Sequence, residues 1–142
     1  MGCGSSSELN NDQSINRNER KFLKESLLAN EDFINRRNAR KRLDEFIDTL
    51  QVKHIESGDK LFSFGDKSDE IFIIGHGLIS IIAEDGHDLG NQGHGAIIGS
   101  YGFFNNKTRS AHAKALKPSK LFFMVNIFIL FNNINSLLSF NS

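Results

Sequence analysis

The sequence predicts a mainly β domain, a sandwich or barrel with Greek-key or jelly-roll connections, flanked by α-helices. Three observations predict it. Beyond Val52, short apolar runs are separated by Gly and Asp turn signals at intervals of about eight to twelve residues. Before that point, apolar residues recur at helical spacing. The chain has 142 residues, enough for one core and a short tail. The 17 Lys+Arg balance 17 Asp+Glu, so net charge gives no reason to expect a nucleic-acid partner. The one cysteine, Cys3, excludes an intrachain disulfide, and nothing resembles the paired Cys/His spacing of a structural zinc site. The most apolar run, Leu121 to Phe131, has eleven residues, against roughly twenty for a spanning helix, so no transmembrane segment is expected.

Residues 1–14 are small and polar, with neither helical nor strand periodicity, and read as a flexible head. Residues 15–51 read as a helical segment. Phe22, Leu23, Leu27 and Leu28, then Phe33 and Ile34, then Leu43, Phe46, Ile47 and Leu50 predict two or three short amphipathic helices over 17–50. Between them stand Arg36, Arg37, Arg40, Lys41 and Arg42, read either as a solvated helix face or as an attraction to anionic lipid. Residues 52–124 carry the β pattern, with strands near 52–56, 60–64, 70–75, 78–83, 95–98, 111–116 and 120–124. The alternation stops between Gly99 and Arg109, as it does where a compact β-fold carries a binding loop. Residues 125–142 read as a short C-terminal helix fading into an Asn/Ser-rich tail.

Two blocks carry a family resemblance. The first runs Leu61-Phe62, Phe64-Gly65-Asp66, Asp69-Glu70-Ile71-Phe72-Ile73-Ile74 and Gly77-Leu78-Ile79-Ser80-Ile81; the second is Ile98-Gly99-Ser100-Tyr101-Gly102-Phe103-Phe104 followed by Arg109-Ser110-Ala111. Together and in this order they resemble the cyclic nucleotide-binding domain family, found in cyclic nucleotide-dependent kinases, gated channels and bacterial activators. The interval of ten residues from Gly99 to Arg109 is similar to that of the family's phosphate-binding cassette. The resemblance implies a β-roll with a ligand site at Gly99, Ser100, Gly102, Phe103, Phe104, Arg109, Ser110 and Ala111. Arg109 would hold the phosphate and N–H groups around Gly102 to Phe104 would cradle it. Taken singly, the glycines are equally consistent with plain turns and Arg109 with a surface cation.

Two departures stand out. Where the family commonly has Gly-Glu, with the Glu accepting hydrogen bonds from the ribose, this chain has Gly99-Ser100. A shorter neutral group there implies affinity lower by about ten-fold or more. The family usually closes its pocket with a C-terminal helix, and the polar tail from Asn132 offers at most a fragment. Ser110, directly after Arg109, is where family members often use a hydroxyl to favour guanine, a hint toward cGMP over cAMP.

Met1-Gly2-Cys3-Gly4-Ser5-Ser6 fits the N-myristoylation pattern, with Gly2 as acceptor and Cys3 as a site for a second, palmitoyl chain. One myristoyl chain binds membranes only marginally, with K of about 10⁴ M⁻¹, and a second makes anchoring stable. The expected location is the cytoplasmic face of a membrane. His54, His76, His87, His94 and His112 are scattered, with His87 and His94 read as part of a polar loop and not a metal site. No catalytic constellation or cofactor is expected. The leading expectation is a membrane-tethered cyclic nucleotide sensor that acts through flanking helices on a protein partner such as a kinase catalytic part or a channel. The alternatives are a non-binding scaffold at a membrane and a truncated relative of such a kinase or channel.

Overall fold

The computed structural model describes residues 14–125. Gly2, Cys3 and most of the expected C-terminal helix lie outside that range. Helix α1 (Arg17–Leu28) begins at a capping box: Glu19 N–H donates to the Asn16 side chain at 2.9 Å, and Asn16 N–H donates to the Glu19 carboxylate at 3.0 Å. Leu23 and Leu27, one turn apart on its apolar face, are fully buried. Helix α2 (Glu31–Ile34) is capped by Asn30, whose side chain accepts from Phe33 N–H at 2.8 Å. Helix α3 (Leu43–Asp48) buries Leu43, Phe46 and Ile47. The cationic stretch from Arg36 to Arg42 lies in turns between α2 and α3, with Asn38 at φ 63°, so it is not a helix face.

Eight strands follow: β1 (Gln51–Ile55), β2 (Lys60–Phe62), β3 (Glu70–His76), β4 (Ile79–Ile82), β5 (Asp88–Gln92), β6 (Ile97–Ile98), β7 (His112–Ala115) and β8 (Ser119–Val125). They form two antiparallel sheets, β1-β8-β3-β6 and β2-β7-β4-β5. Successive strands mostly change sheet, which is jelly-roll order. The sheets form an open roll and not a closed barrel. Between β6 and β7 the expected loop contains helix α4 (Ser100–Asn105).

The period-two rule explains the apolar run of β3. Ile71 and Ile73 pack against α1, α3 and Phe122, whereas Phe72 and Ile74 face the second sheet with Ile55, Ile79, Ala113 and Leu121. The first sheet is therefore a middle layer, covered by helices on one face and by strands on the other, so its central strand has no polar face. Burying each such Ile or Phe contributes about 1.5–3 kcal/mol. Strand β5 is a strand that the sequence pattern does not show. It pairs only with β4 at the edge of the second sheet and is exposed at every position but Gly90, so it lacks the apolar alternation that marks a half-buried strand. The stretch around His87 and His94 is accordingly not one polar loop. His87 pairs with Asp85 at 3.0 Å, while the His94 ring lies 4.6 Å from that of Phe22 on α1.

Candidate functional site

Arg109 enters the roll just before β7. Its backbone is fastened to the turn after β2: Arg109 N–H donates to the Asp66 carbonyl at 2.8 Å, and Gly65 N–H donates to the Arg109 carbonyl at 2.9 Å. The side chain is only 5% exposed. Its guanidinium lies over the Phe62 ring, 4.1 Å from the centroid. It donates to the carbonyls of Glu70 at 2.6 Å and Gly99 at 3.3 Å, while its buried Nε–H has no hydrogen-bond partner. Burial pushes the Arg109 pKa down against the opposing charges of Glu70, Asp69 and Asp66. A guanidinium remains ionised even so. Arg109 is a buried cation with two neutral carbonyl acceptors and an Nε–H that has none.

Beside it lies a cavity of about 300 Å³. Gly99, Ser100, Gly102, Arg109, Ser110 and Ala111 all line it, joined by Tyr101 and Thr108. Phe62, Ile81, Ile97 and Ile98 supply apolar wall, and Ser68 and Gln92 add polar groups from other loops and strands. Gly99 caps α4 in the left-handed region at φ 83°, and a Cβ there would run into the Arg109 guanidinium. The first backbone bond of the helix runs from Phe103 N–H to the Gly99 carbonyl at 3.1 Å. The helix therefore has its donors without intrahelical acceptors at Ser100, Tyr101 and Gly102, two residues before the Gly102–Phe104 cradle expected from sequence and sharing Gly102 with it.

Phe103 and Phe104 do not line the cavity. Phe103 is buried in the cluster shared with α1–α3, and Phe104 packs edge-on to Phe33 at 6.0 Å. Phe104 is also gripped by Arg36, which donates to its carbonyl and lies over its ring at 5.5 Å. At the opposite end of α4 the Ser100 hydroxyl donates to Asp32 at 2.8 Å and accepts from Asn30 at 3.2 Å. Both ends of the short helix are thus held by the α2 region. Tyr101 stands 59% exposed at the cavity.

Ser68, Gln92, Tyr101 and Thr108 went unread as site residues because nothing in their spacing separates them from ordinary loop or edge positions. Ser68 carries a signal visible only in three dimensions. It is 8% exposed, and its hydroxyl has no partner. Among the described residues, no group of three or more His, Cys, Asp or Glu could hold a metal, and no helix is long and apolar enough to cross a membrane.

This geometry agrees with comparisons to known proteins. An NTE family protein of Mycobacterium tuberculosis is 29% identical over 76 residues, covering 54% of this chain and 13% of that protein. The cAMP-dependent protein kinase regulatory subunit of Yarrowia lipolytica is 31% identical over 75 residues, 53% of this chain and 20% of that one. The match therefore spans a small part of either relative. The regulatory domain of Toxoplasma gondii PKA, crystallised with cAMP, superposes with a TM-score of 0.67 at 21% identity, over 85% of this chain and 46% of that one, a likeness of fold. The model of the cyclic nucleotide-binding domain matches residues 52–126, from the first strand through the last and including the Gly99-to-Arg109 segment. That match covers more than half of the chain, and the chain belongs to the cyclic nucleotide-binding domain family.

Proposed function

We propose that this domain is a regulatory sensor of a cyclic nucleotide and not an enzyme, with the phosphate held by Arg109 and by the N–H groups of Ser100 to Gly102. The observation that carries the reading is the buried guanidinium. A desolvated cation satisfied only by carbonyl oxygens is costly, and an anion in the adjoining cavity relieves that cost with charge-assisted hydrogen bonds. Stacking on Phe62 sets the plane of the fork so that it can present two donors to phosphate oxygens.

Ligand binding would act on the helices through α4. Asp32 and Asn30 hold its first residue and Arg36 its end, so any movement of α4 as it closes on phosphate is felt by the α2 region. Transmission requires two arrangements of these helices with different ligand affinity. Gly2 and Cys3 would place the module at the cytoplasmic face of a membrane, near a kinase catalytic part or a channel. Labelling with a myristate analogue, with Gly2→Ala as control, tests that tether.

A second reading, a scaffold without ligand, is favoured by Ser100. Its hydroxyl is engaged by Asp32 and Asn30 where the family commonly offers a carboxylate to the ribose. Isothermal titration with cAMP and with cGMP, on the native chain and on Arg109→Ala, decides between the two. Saturable binding lost with Arg109 supports the sensor and reports the purine preference. No binding by a folded sample leaves the scaffold.

A further inference from the structure

We propose that Ser68 is a ligand contact, its hydroxyl donating a hydrogen bond to an anionic oxygen of the molecule that occupies the Arg109 cavity. The inference rests on the cyclic nucleotide reading and adds to it a residue from outside the cassette. Ser68 sits between the Gly65-Asp66 turn and β3, lines the cavity, and is 8% exposed. Its Oγ and the Arg109 Nε are buried polar atoms without a hydrogen-bond partner, and both belong to residues of the same cavity wall. Buried hydroxyls and guanidinium nitrogens are nearly always paired in folded proteins. Two unpaired donors on residues of one cavity wall point to a shared acceptor with several lone pairs, as a phosphate provides.

Gly102 supports the assignment. A Cβ at position 102 would collide with the Ser68 hydroxyl, and the Lys107 carbonyl would lie 2.8 Å from it. The absence of a side chain at Gly102 leaves room for the hydroxyl against α4. Ser68 lines the cavity from the β2–β3 connection and Gly99 to Gly102 line it from the β6–β7 connection, so the anion would be held by two segments of the fold. A hydroxyl donor also tells a phosphate oxygen from a poorer acceptor at the same place.

The test uses the full chain, its Ser68→Ala variant, and cAMP, cGMP and their two phosphorothioate diastereomers as ligands. In Ser68→Ala, affinity for the preferred nucleotide is expected to fall roughly ten-fold, the scale of a hydrogen bond to a charged group. The melting temperature without nucleotide is expected to hold or rise, because an unpaired buried hydroxyl has been removed. Sulfur at the contacted oxygen should weaken binding to the native chain and cost much less in Ser68→Ala. Unchanged affinity in Ser68→Ala overturns the proposal while leaving the Arg109 reading intact. A lowered melting temperature with equal sensitivity to both diastereomers also overturns it, marking the hydroxyl as structural. If the native chain binds neither nucleotide, the Arg109 reading and the Ser68 proposal fall together.

Discussion

The Ser100 hydroxyl lies 2.8 Å from the Asp32 carboxylate and donates to it, joining the first residue of the cassette helix to the first turn of α2 across 68 positions of sequence. Asn30 completes the contact and also caps α2, so the cap of one helix and the start of another share a residue. A hydrogen bond to a charged group contributes about 1.5–3 kcal/mol where it is partly buried. A double-mutant cycle on Ser100→Ala and Asp32→Ala, read by urea unfolding, is expected to give a coupling of about 1–2 kcal/mol. Additive losses would show that the two ends do not communicate through this bond.

The same contact predicts what happens when the family's usual carboxylate is restored. Ser100→Glu places a second negative group against Asp32, and like charges at close range disfavour each other. We expect Ser100→Glu to destabilise the fold by about 1–3 kcal/mol and Ser100→Glu with Asp32→Asn to recover most of it. Should the single variant be as stable as the native chain, the introduced carboxylate must turn into the cavity, and nucleotide affinity should then rise.

Gly99 is required twice, for its φ of 83° and for its approach to Arg109. Gly99→Ala adds left-handed backbone strain of about 1–3 kcal/mol and drives a methyl into the guanidinium. The expected outcome is a loss above about 2 kcal/mol in chemical denaturation, with nucleotide binding abolished. A well-folded Gly99→Ala protein with native affinity would contradict the placement of Arg109.

How much of this was legible in sequence follows from where the signals come from. The layers are readable because Leu23 and Leu27 recur at helical spacing and the apolar run from Ile71 to Ile74 stands between turn residues, and both patterns are burial written along the chain. Strand β5 was not, since an exposed edge strand has no burial to record. Arg109 stood out through its interval from Gly99. Ser68 did not, because its meaning lies in an unpaired hydroxyl, a property of packing and not of spacing. The helix start at Gly99 is not legible in sequence, because it depends on a left-handed backbone that a lone Gly in a loop does not disclose. The Arg36 stretch reads in sequence as lipid contact or solvated helix face, because the Phe104 carbonyl that Arg36 meets is 68 residues away.

Arg36 closes the far end of α4 by donating to that carbonyl and to Asn105 at 3.2 Å. Cations suit a helix C-terminus, where carbonyls are left without intrahelical donors. Arg36→Ala is expected to cost about 1 kcal/mol in stability and to raise amide exchange in residues 100–105 more than in the strands. Equal protection of α4 in both proteins would mean that the aromatic packing of Phe103 and Phe104 alone holds the helix.

The last prediction concerns acid. Lys120 on β8 donates to the Glu19 carboxylate on α1 at 2.6 Å, and both side chains are about four-fifths buried. Burial works to raise the Glu19 pKa, but hydrogen bonds from Lys120 and from Asn16 N–H, with the charge of Lys120, outweigh it and hold the carboxyl below its ordinary value. A carboxyl depressed in the folded state contributes stability above its unfolded pKa, and that contribution is lost as pH falls through the folded value. Glu19→Gln should therefore be less stable than the native chain by about 1–2 kcal/mol at neutral pH, with the gap closing in acid below the usual carboxylate range. His76 and His94 line the same hollow as Glu19 and Lys120. Urea midpoints measured across pH on the two proteins check this. A gap independent of pH would mean that Glu19 acts through its cap on α1 and not through its charge.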